Sequence, residues 1–342
     1  MTRFDNAARV LTSARSSGAF SAVTAEVGSS KEPWWSFAEG HLTADPASAS
    51  VGAATLFDLA SLTKVLVTTT LATERIASGR LQLDTQITSL IPEWKGADRS
   101  GVTVRDCLEH CTGLPAHRPY FETMSGRAEY QAAIAREPLE YAPRSRELYS
   151  DLDFILLGFI VEDAGDGNLA DQFRRWGTTN GLIGDLGFKP AASERGRIAA
   201  TGFDQWRGRM LQGEVHDQNA AALDGISGHA GLFGTVGAVG EMARWWSAHL
   251  SQLFAFVERS AVPKSSRALG WDTMLPTSSC GERLSSRAFG HTGFTGTSLW
   301  IDPGNDLYAV LLTNFVQSSK DRTIIRNVRR AFHDAVMIDL GL

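Results

Sequence analysis

The order in which strand-like and helix-like segments follow one another constrains the fold of this chain most. β-Branched and aromatic residues predict strands close to both ends of the sequence. These strands cover residues 20–27, 34–39, Ala288–Thr292, Thr297–Asp302 and Leu307–Thr313. Because antiparallel strands need not be consecutive to share a sheet, the simplest fold is α+β. It has one antiparallel sheet formed from both chain ends, helices flanking that sheet and an inserted all-helical region.

Segments with apolar residues at helical spacing fill most of the remaining chain. The clearest predicted helices are residues 4–17, Ser61–Ser78 (ended by Gly79), Val104–Cys111, Arg127–Arg136, Leu152–Ala164, Ala238–Leu250 and residues 321–340. A chain of 342 residues is too long for one simple core. We therefore expect a discontinuous sheet domain (1–80 and 265–342) and a mainly helical domain (81–264), with the active site in the cleft between them.

The charge balance and the cysteines exclude several classes of function. Lys and Arg number 33 against 38 Asp and Glu, a formal net charge of −5, so nothing indicates a nucleic-acid partner. Three cysteines give no disulfide framework. Cys107 and Cys111 lie near His110 and His117, but their spacing fits no common zinc pattern and packing is the favoured interpretation. We expect neither a metal nor a cofactor.

The apolar segments also bear on where the protein works. The first residues lack the apolar stretch of a secretory signal, which predicts a cytoplasmic location. The most apolar run, Phe154–Val161, is too short to cross a bilayer, so no membrane span is expected. The expected partner is a small-molecule or peptide substrate, and the oligomeric state stays open.

The first candidate for chemistry is Ser61-Leu62-Thr63-Lys64. Lys64 is the only charged residue between Asp58 and Glu74, so its helix is expected to be buried. Burial lowers the pKa of an ammonium group, and residues at i and i+3 share a helix face, so a neutral or proton-sharing Lys64 could take a proton from Ser61. The alternative is a lysine that extends along the helix end to reach solvent.

Two further segments carry candidate side chains. Tyr149-Ser150-Asp151 precedes an apolar helix, where Asp151 is either a plain N-cap or part of a site, and a phenol such as Tyr149 can shuttle protons. The segment Phe289–Thr297 contains three glycines. These glycines indicate either a strand that a ligand approaches closely or a glycine-rich hairpin turn.

Taken together, these motifs resemble the serine β-lactamase and penicillin-binding protein superfamily. The resemblance is strongest to the class C β-lactamase-like branch, which includes D,D-carboxypeptidases, D-aminopeptidases and carboxylesterases. The family has three motifs, and this chain carries a match to each in the same order. The Ser-x-x-Lys motif matches Ser61–Lys64, the Tyr-x-Asn motif matches Tyr149–Asp151, and the Lys-Thr-Gly or His-x-Gly motif matches His291–Gly293. The resemblance covers roughly residues 15–340. It implies an antiparallel sheet with helices on both faces, a helical domain and a site between them.

The resemblance also implies a role for each candidate residue. Ser61 would attack a carbonyl group and form an acyl-enzyme, while Lys64 and Tyr149 would move protons. The backbone N–H groups of Ser61 and Phe294 would form the oxyanion hole. The residues expected to contact the substrate or tune the charge of the site are Asp151, His291, Thr292 and Gly293.

Two departures from the family pattern weaken the case for efficient penicillin hydrolysis. Asp151 stands where the family has Asn, and an ionised carboxylate cannot donate a hydrogen bond to a substrate amide. His291 stands where Lys is common, so positive charge there is only partial near neutral pH. Acyl transfer itself is unaffected by either change.

The middle of the chain adds His216, Asp217 and His229. The favoured interpretation is a loop network in which each histidine bonds to backbone groups. The alternative is that these residues form one wall of the substrate cleft, because the resemblance to the family is locally strong there.

We therefore expect a serine hydrolase acting through an acyl-enzyme on an ester, amide or β-lactam bond. Muropeptide peptidases, D-amino-acid peptidases and small-molecule esterases are the favoured kinds. A catalytically silent ligand-binding or sensor protein of the same fold is the alternative of another class, and the complete Ser–Lys–Tyr set weighs against it. Transfer of the acyl group to an acceptor other than water is a further alternative.

Overall fold

A computed structural model of the protein describes residues 4–182 and 184–342. Its strands are β1 Ala22–Gly28, β2 Pro33–Gly40, β3 Phe57–Asp58, β4 Leu186–Phe188, β5 Gly202–Asp204, β6 Arg209–Leu211, β7 Leu232–Gly234, β8 Asp272–Thr273, β9 Phe289–Thr292, β10 Ser298–Asp302 and β11 Leu307–Thr313. Within the described residues, a six-stranded sheet has the order β2-β1-β11-β10-β9-β8, with antiparallel neighbours. This confirms the predicted α+β fold with one antiparallel sheet from both chain ends.

The helices are α1 Asp5–Ser16, α2 Thr70–Ala77, α3 Ile87–Leu90, α4 Val104–Leu108, α5 Gly126–Arg136, α6 Asp151–Asp163, α7 Leu169–Thr179, α8 Gln218–Ala222, α9 Val236–Ala248, α10 Leu250–Val257 and α11 Arg322–Leu340. All the predicted helices are present, with shifted ends. Helix α4 ends before the predicted Cys111, because His110 adopts a left-handed φ of 56°. The prediction that the inserted region is all-helical is wrong, because the middle of the chain also contains β4 to β7. The division at residues 80 and 264 stays a prediction.

The sheet holds the two ends of the chain together. Strand β1 is buried along its whole length and pairs with β11 on one side, where Val23 lies opposite Thr313. The terminal helices α1 and α11 pack against each other, and Asp339 accepts a hydrogen bond of 2.9 Å from the backbone N–H of Ala7. Helix α9 contacts β1, β10 and β11. A sheet covered in this way gives a rigid support for β9, the strand with the glycine-rich segment.

The predicted helix Ser61–Ser78 is not a regular α-helix. Residues Lys64–Thr69 form a wider π-helical stretch, and α2 then continues to Ala77, with Gly79 in the left-handed region at φ 73°. Side chains in this stretch are buried, and many are β-branched, which crowds a regular helix. Short π-helical stretches are frequent at functional sites, and this one begins at Lys64.

Candidate active site

The turn before the π-helical stretch presents Ser61 to a cleft. Ala60 has a left-handed φ of 47°, and the Asp58 carboxylate accepts a 2.8 Å hydrogen bond from its backbone N–H. This turn reverses the chain between β3 and the helix, so that Ser61 lines a cleft of about 1080 Å³. Lys64 follows one turn later, and its Nζ donates a 3.0 Å hydrogen bond to Ser61 Oγ. The structure thus brings the two predicted side chains into contact.

The buried Lys64 ammonium has partners that the sequence analysis did not provide. Its side chain is fully buried and forms a 2.7 Å ion pair with Asp151, whose side chain is 21% exposed. The backbone carbonyl of His229 accepts a further hydrogen bond of 3.3 Å. Lys64 is therefore not a lysine that reaches along the helix end to solvent, and that alternative is wrong.

The expected neutral Lys64 is also wrong. Burial by itself would lower the pKa of this amine, but the Asp151 carboxylate and Tyr149 outweigh burial and the pKa lies above its ordinary value. For Asp151, burial favours the neutral form, yet the Lys64 ammonium holds the pKa of the carboxyl well below its usual range. The resting pair is therefore an ammonium and a carboxylate, each stabilised by the other.

Asp151 is the first residue of α6, but it does not cap the helix. Ser150 is the N-cap, and its hydroxyl accepts from the backbone N–H of Asp153. Because the cap is provided by Ser150, the Asp151 carboxylate is free to point at Lys64. His117 lies on its other side, with 3.8 Å between His117 Nδ1 and an Asp151 oxygen. The plain N-cap interpretation of Asp151 is therefore wrong.

Tyr149 lies on the loop before α6 and is enclosed by cations and rings. Lys64 Nζ lies 4.8 Å from the centroid of the phenol ring, and Arg267 Cζ lies 5.0 Å from it. The His110 ring centroid is 4.6 Å away and that of His291 is 5.7 Å away. Contacts of this kind restrict the ring and hold the phenol beside Lys64 at the wall of the cleft.

His291 on β9 is held in its neutral form. Its Nδ1 lies 2.9 Å from the Thr292 carbonyl oxygen, which only accepts, so Nδ1 carries the proton. Nε2 has no hydrogen-bond partner among the described residues. Burial, together with the charges of Arg267 and Lys64, holds the pKa of His291 well below its ordinary value. The partial positive charge expected at this position is therefore wrong.

The two predicted oxyanion donors are backbone N–H groups at the cleft. Among the described residues, neither Ser61 N nor Phe294 N donates to a protein acceptor. Both residues line the cleft, as do Thr292 and Gly293. A side chain at Gly293 would collide with the Leu59 carbonyl oxygen, at 2.5 Å from an added Cβ. The glycine therefore lets β9 approach the turn that carries Ser61.

Two threonine hydroxyls join the loop after β9 to the turn before Ser61. Thr295 Oγ1 donates to the Asp58 carbonyl at 2.7 Å, and Thr297 Oγ1 donates to the Leu59 carbonyl at 3.0 Å. Both threonines are fully buried. The relative position of Ser61 N and Phe294 N is therefore set by buried hydrogen bonds between two loops that are distant in sequence.

The Asp58 carboxylate connects the same turn to the segment that contains His216. Its second carboxylate oxygen accepts a 2.6 Å hydrogen bond from the backbone N–H of His216. Burial raises the pKa of Asp58 to about 6, although its bonds to the N–H groups of His216 and Ala60 favour the charged form. No role for this carboxylate is predicted from the sequence, although Asp58 lies in the stretch just before Ser61.

The histidines of the middle region belong to side-chain networks. His229 has one ring nitrogen 2.8 Å from Ser227 Oγ and the other 2.8 Å from Asp217 Oδ1. The His216 ring stacks on Phe294 with 5.6 Å between centroids, and His216 and Asp217 line the cleft. The prediction that each histidine bonds to backbone groups is therefore wrong, and the cleft-wall alternative describes His216 and Asp217.

Several residues at the site carry no signal in the sequence. Arg267 lines the cleft, donates from Nε to Glu147 at 2.8 Å and packs over Tyr149. His117 was considered only as a metal ligand beside Cys107 and Cys111, whereas the structure places it at Asp151. Arg267 belongs to no recognisable motif, and only folding brings it to the site.

The sequence profile named Beta-lactamase matches residues 9–332. The chain belongs to the Beta-lactamase family. This confirms the resemblance to the serine β-lactamase and penicillin-binding protein superfamily, and a β-lactamase-type serine hydrolase is the activity that the family supports.

Curated relatives of this Beta-lactamase family member have peptidase and amidase names. It is 33% identical over 318 residues to an Escherichia coli (strain K12) protein named for D-alanyl-D-alanine carboxypeptidase, covering 80% of this chain and 71% of that one. It is 32% identical over 305 residues to the N-acetylmuramyl-L-alanine amidase of Bacillus subtilis (strain 168), covering 76% and 68%.

Solved structures of several proteins share its fold. The class C β-lactamase of Rhodobacter sphaeroides superimposes with a TM-score of 0.77 at 16% identity, covering 99% of this chain and 100% of that one. EstCE1, a hydrolase with promiscuous acyltransferase activity, gives 0.76 at 19% identity and covers 97% and 98%. Among the described residues, no helix has the length and apolar character needed to cross a membrane.

Proposed function

We propose that this family member is a serine hydrolase that forms an acyl-enzyme on Ser61, with a peptide that ends in a D-amino acid as its substrate. One observation carries the proposal. Lys64 Nζ holds Ser61 Oγ at 3.0 Å at the cleft, where the backbone N–H groups of Ser61 and Phe294 are free to donate. A nucleophile, a fixed cation and two donors for an oxyanion are the parts that acyl transfer needs.

Acylation begins with attack of Ser61 Oγ on the carbonyl carbon of the scissile amide or ester. A carbon–oxygen bond forms, and the carbonyl electron pair moves to its oxygen, which accepts hydrogen bonds from Ser61 N and Phe294 N. Tyr149 relays the proton: its oxygen receives the hydrogen of Ser61 while its own hydrogen passes to the leaving nitrogen or oxygen. The carbonyl then re-forms as the bond to the leaving group breaks.

Lys64 acts in this scheme as a cation. The raised pKa keeps it protonated at neutral pH, so it orients Ser61 Oγ as a hydrogen-bond donor and stabilises negative charge that develops between Ser61 and Tyr149. Asp151 fixes the ammonium in place through the 2.7 Å ion pair. This assignment replaces the neutral lysine base that the sequence suggested.

Water completes the cycle. It attacks the acyl carbon, and one of its protons returns through Tyr149 to Ser61 Oγ as the carbon–oxygen bond of the acyl-enzyme breaks. The products are the free acid and the regenerated serine. The regenerated Ser61 hydroxyl attacks esters and activated amides in the same way, so esterase activity is expected on small chromogenic esters.

The names of the relatives support a peptide substrate of cell-wall type. Both the carboxypeptidase and the amidase names describe hydrolysis of an amide bond next to alanine. A cleft of about 1080 Å³ accommodates a peptide of several residues. Efficient hydrolysis of penicillins is disfavoured, because the Asp151 carboxylate is occupied by Lys64 and offers no donor to a side-chain amide.

Intact-mass spectrometry tests the proposal directly. Wild type and Ser61→Ala are incubated with a fluorophosphonate, p-nitrophenyl acetate, a chromogenic cephalosporin and a D-alanyl-D-alanine peptide. We expect a covalent adduct on wild type only, and release of D-alanine at a rate that Ser61→Ala lowers by about 10⁴-fold or more. Ser78→Ala, an exposed serine outside the lining of the cleft, is the control for the same change of side chain.

Each other outcome contradicts part of the proposal. No adduct and no turnover with any probe would favour the silent binding protein. Adduct formation with esters but no release of D-alanine would support an acyl-enzyme on Ser61 and contradict the proposed peptide substrate. Faster product formation when an alcohol or amine replaces water as acceptor would favour the acyltransferase.

A further inference from the structure

Arg329 on α11 is a buried cation at the back of the site. It is 5% exposed, and its Nη2 donates to the backbone carbonyls of Gly293 at 2.6 Å and Thr297 at 2.8 Å. No acidic side chain among the described residues forms an ion pair with it, and Arg322 is the charged neighbour that acts on it. The hydrogen-bond acceptors of the Arg329 guanidinium are therefore two backbone carbonyls of the loop after β9.

Keeping such a cation is unfavourable for folding. Burial and the charge of Arg322 lower the pKa of Arg329 to about 9, which leaves the guanidinium charged at neutral pH but poorly solvated. The neighbouring Arg330 forms an ion pair with Glu282, and the exposed Arg326 donates to the Thr277 carbonyl at 2.9 Å. Arg329 differs from both by being buried without a carboxylate.

The carbonyl that Arg329 binds belongs to a particular peptide group. Gly293 C=O and Phe294 N–H are the two ends of one planar peptide unit and point in opposite directions. A guanidinium on the oxygen therefore fixes the direction of the N–H that faces the cleft. It also withdraws electron density from the peptide unit, which makes the N–H a stronger donor.

We propose that Arg329 is a positioning residue that orients and polarises the Phe294 N–H of the oxyanion hole. The inference rests on the proposed function, because it concerns the donor that the tetrahedral intermediate uses. The bond to Thr297 contributes to the same end, since Thr297 also donates to the Leu59 carbonyl ahead of Ser61. Arg329 thus links α11 to both halves of the oxyanion hole.

Acylation kinetics with p-nitrophenyl acetate provide the first test, with Arg329→Met as the variant. We expect kcat/KM for acylation to fall about 10- to 100-fold, less than loss of a whole oxyanion donor, because the Phe294 N–H remains but is no longer fixed. Arg329→Lys, which keeps a charged donor, should recover most of the rate. Arg326→Met removes a charge from the same helix and should react within about twofold of wild type.

The affinity for phenylboronic acid distinguishes a misplaced Phe294 N–H from a general loss of structure at the site. Addition of Ser61 Oγ to the boron gives a tetrahedral anion and releases a proton, so its affinity follows the stability of the oxyanion. We expect Arg329→Met to weaken this affinity by the same factor as the acylation rate. Binding of the uncleaved D-alanyl-D-alanine peptide, whose carbonyl oxygen carries no charge, to Ser61→Ala and to the Ser61→Ala, Arg329→Met double variant should agree within about twofold.

Several results would overturn the inference. These are a folded Arg329→Met protein that acylates at the wild-type rate, a loss that Arg326→Met reproduces, and a slower rate with unchanged boronate affinity. Should Arg329→Met fail to fold, Arg329→Gln takes its place, and wild-type acylation by that neutral variant contradicts the role. A wild type that forms no Ser61 adduct instead contradicts the proposed function itself.

Discussion

The two walls of the cleft hold their functional groups in different ways. The charged wall is formed by Tyr149 and Asp151 together with the buried Lys64 that both contact, and it depends on an ion pair between side chains that are far apart in sequence. The backbone wall, formed by residues 58–61 and 293–297, presents N–H groups that buried hydroxyls, one carboxylate and one guanidinium hold in place.

The difference separates two requirements of acyl transfer. On the charged wall, a single change of charge alters the protonation of its neighbours, because the interior screens charges weakly. On the backbone wall, the donors themselves never titrate, and only their positions can be lost. Changes at the first wall should therefore alter the pH dependence of the reaction, whereas changes at the second should alter its rate or the stability of the fold.

The largest expected effect is on the charged wall. Lys64→Met removes the cation that orients Ser61 and leaves the Asp151 carboxylate without its 2.7 Å partner. We expect acylation by p-nitrophenyl acetate to slow about 10³-fold, measured as the burst of p-nitrophenol. Lys189→Met, at an exposed ion pair with Asp224, is the matched control and should leave the burst unchanged. A burst within threefold of wild type would exclude Lys64 from the chemistry.

The carboxylate that anchors the backbone wall, Asp58, should make stability depend on pH. Its pKa is about 6 in the folded protein against 3.8 for an ordinary Asp, so the folded state retains a proton that the unfolded state releases between these pH values. Stability from this group is complete below pH 3.8 and decreases as pH rises through 6, by roughly 3 kcal/mol in all.

Urea unfolding of wild type and Asp58→Asn at pH 4, 5, 6 and 7 measures this contribution. We expect the variant to gain stability relative to wild type as pH rises, since the amide does not ionise. Asp84→Asn, at an exposed position, should follow the pH dependence of wild type. Parallel curves for wild type and Asp58→Asn would show that the folded pKa of Asp58 is ordinary.

The smallest expected effect distinguishes a cationic Lys64 from a neutral one. In Asp151→Asn the carboxylate that raises the Lys64 pKa is gone, so burial dominates and the pKa falls. The alkaline limb of the kcat/KM profile should then move to lower pH, with about tenfold loss of rate for each unit above the new pKa. Stopped-flow acylation between pH 6 and 10 records both limbs, with Asp84→Asn as control. Faster acylation than wild type at pH 7 would instead identify Lys64 as a neutral base.

Features that depend on neighbours in sequence were the predictable ones. The strands near both chain ends follow from local residue type, and the contact between Ser61 and Lys64 follows from their spacing on one helix face. The turn residue Gly79 likewise ends its helix where the sequence indicates. Together with the family motifs, these features predicted the fold and the residues that meet at the cleft.

Features that depend on distant partners were not predictable. The charge of Lys64 is set by Asp151, which is 87 residues away, and burial alone suggested the opposite direction of its pKa. Asp151 takes this role because Ser150 caps α6, a choice between adjacent residues that only the three-dimensional arrangement decides. Arg329 lies in an ordinary amphipathic helix, and nothing in its surroundings in the sequence marks the Gly293 carbonyl as its partner.

The pairing of β1 with β11 has a consequence for synthesis on the ribosome. Val23 in β1 can pair with Thr313 in β11 only after Thr313 has been synthesised. One edge of the nascent β1–β2 hairpin therefore stays unpaired while nearly the whole chain is translated. At ~5–20 residues per second this interval lasts tens of seconds, during which an apolar strand is available to chaperones or to other nascent chains. Phe294 and Arg329 emerge within the same late stretch, so a truncated product lacks both the complete sheet and the Phe294 N–H proposed for the oxyanion hole.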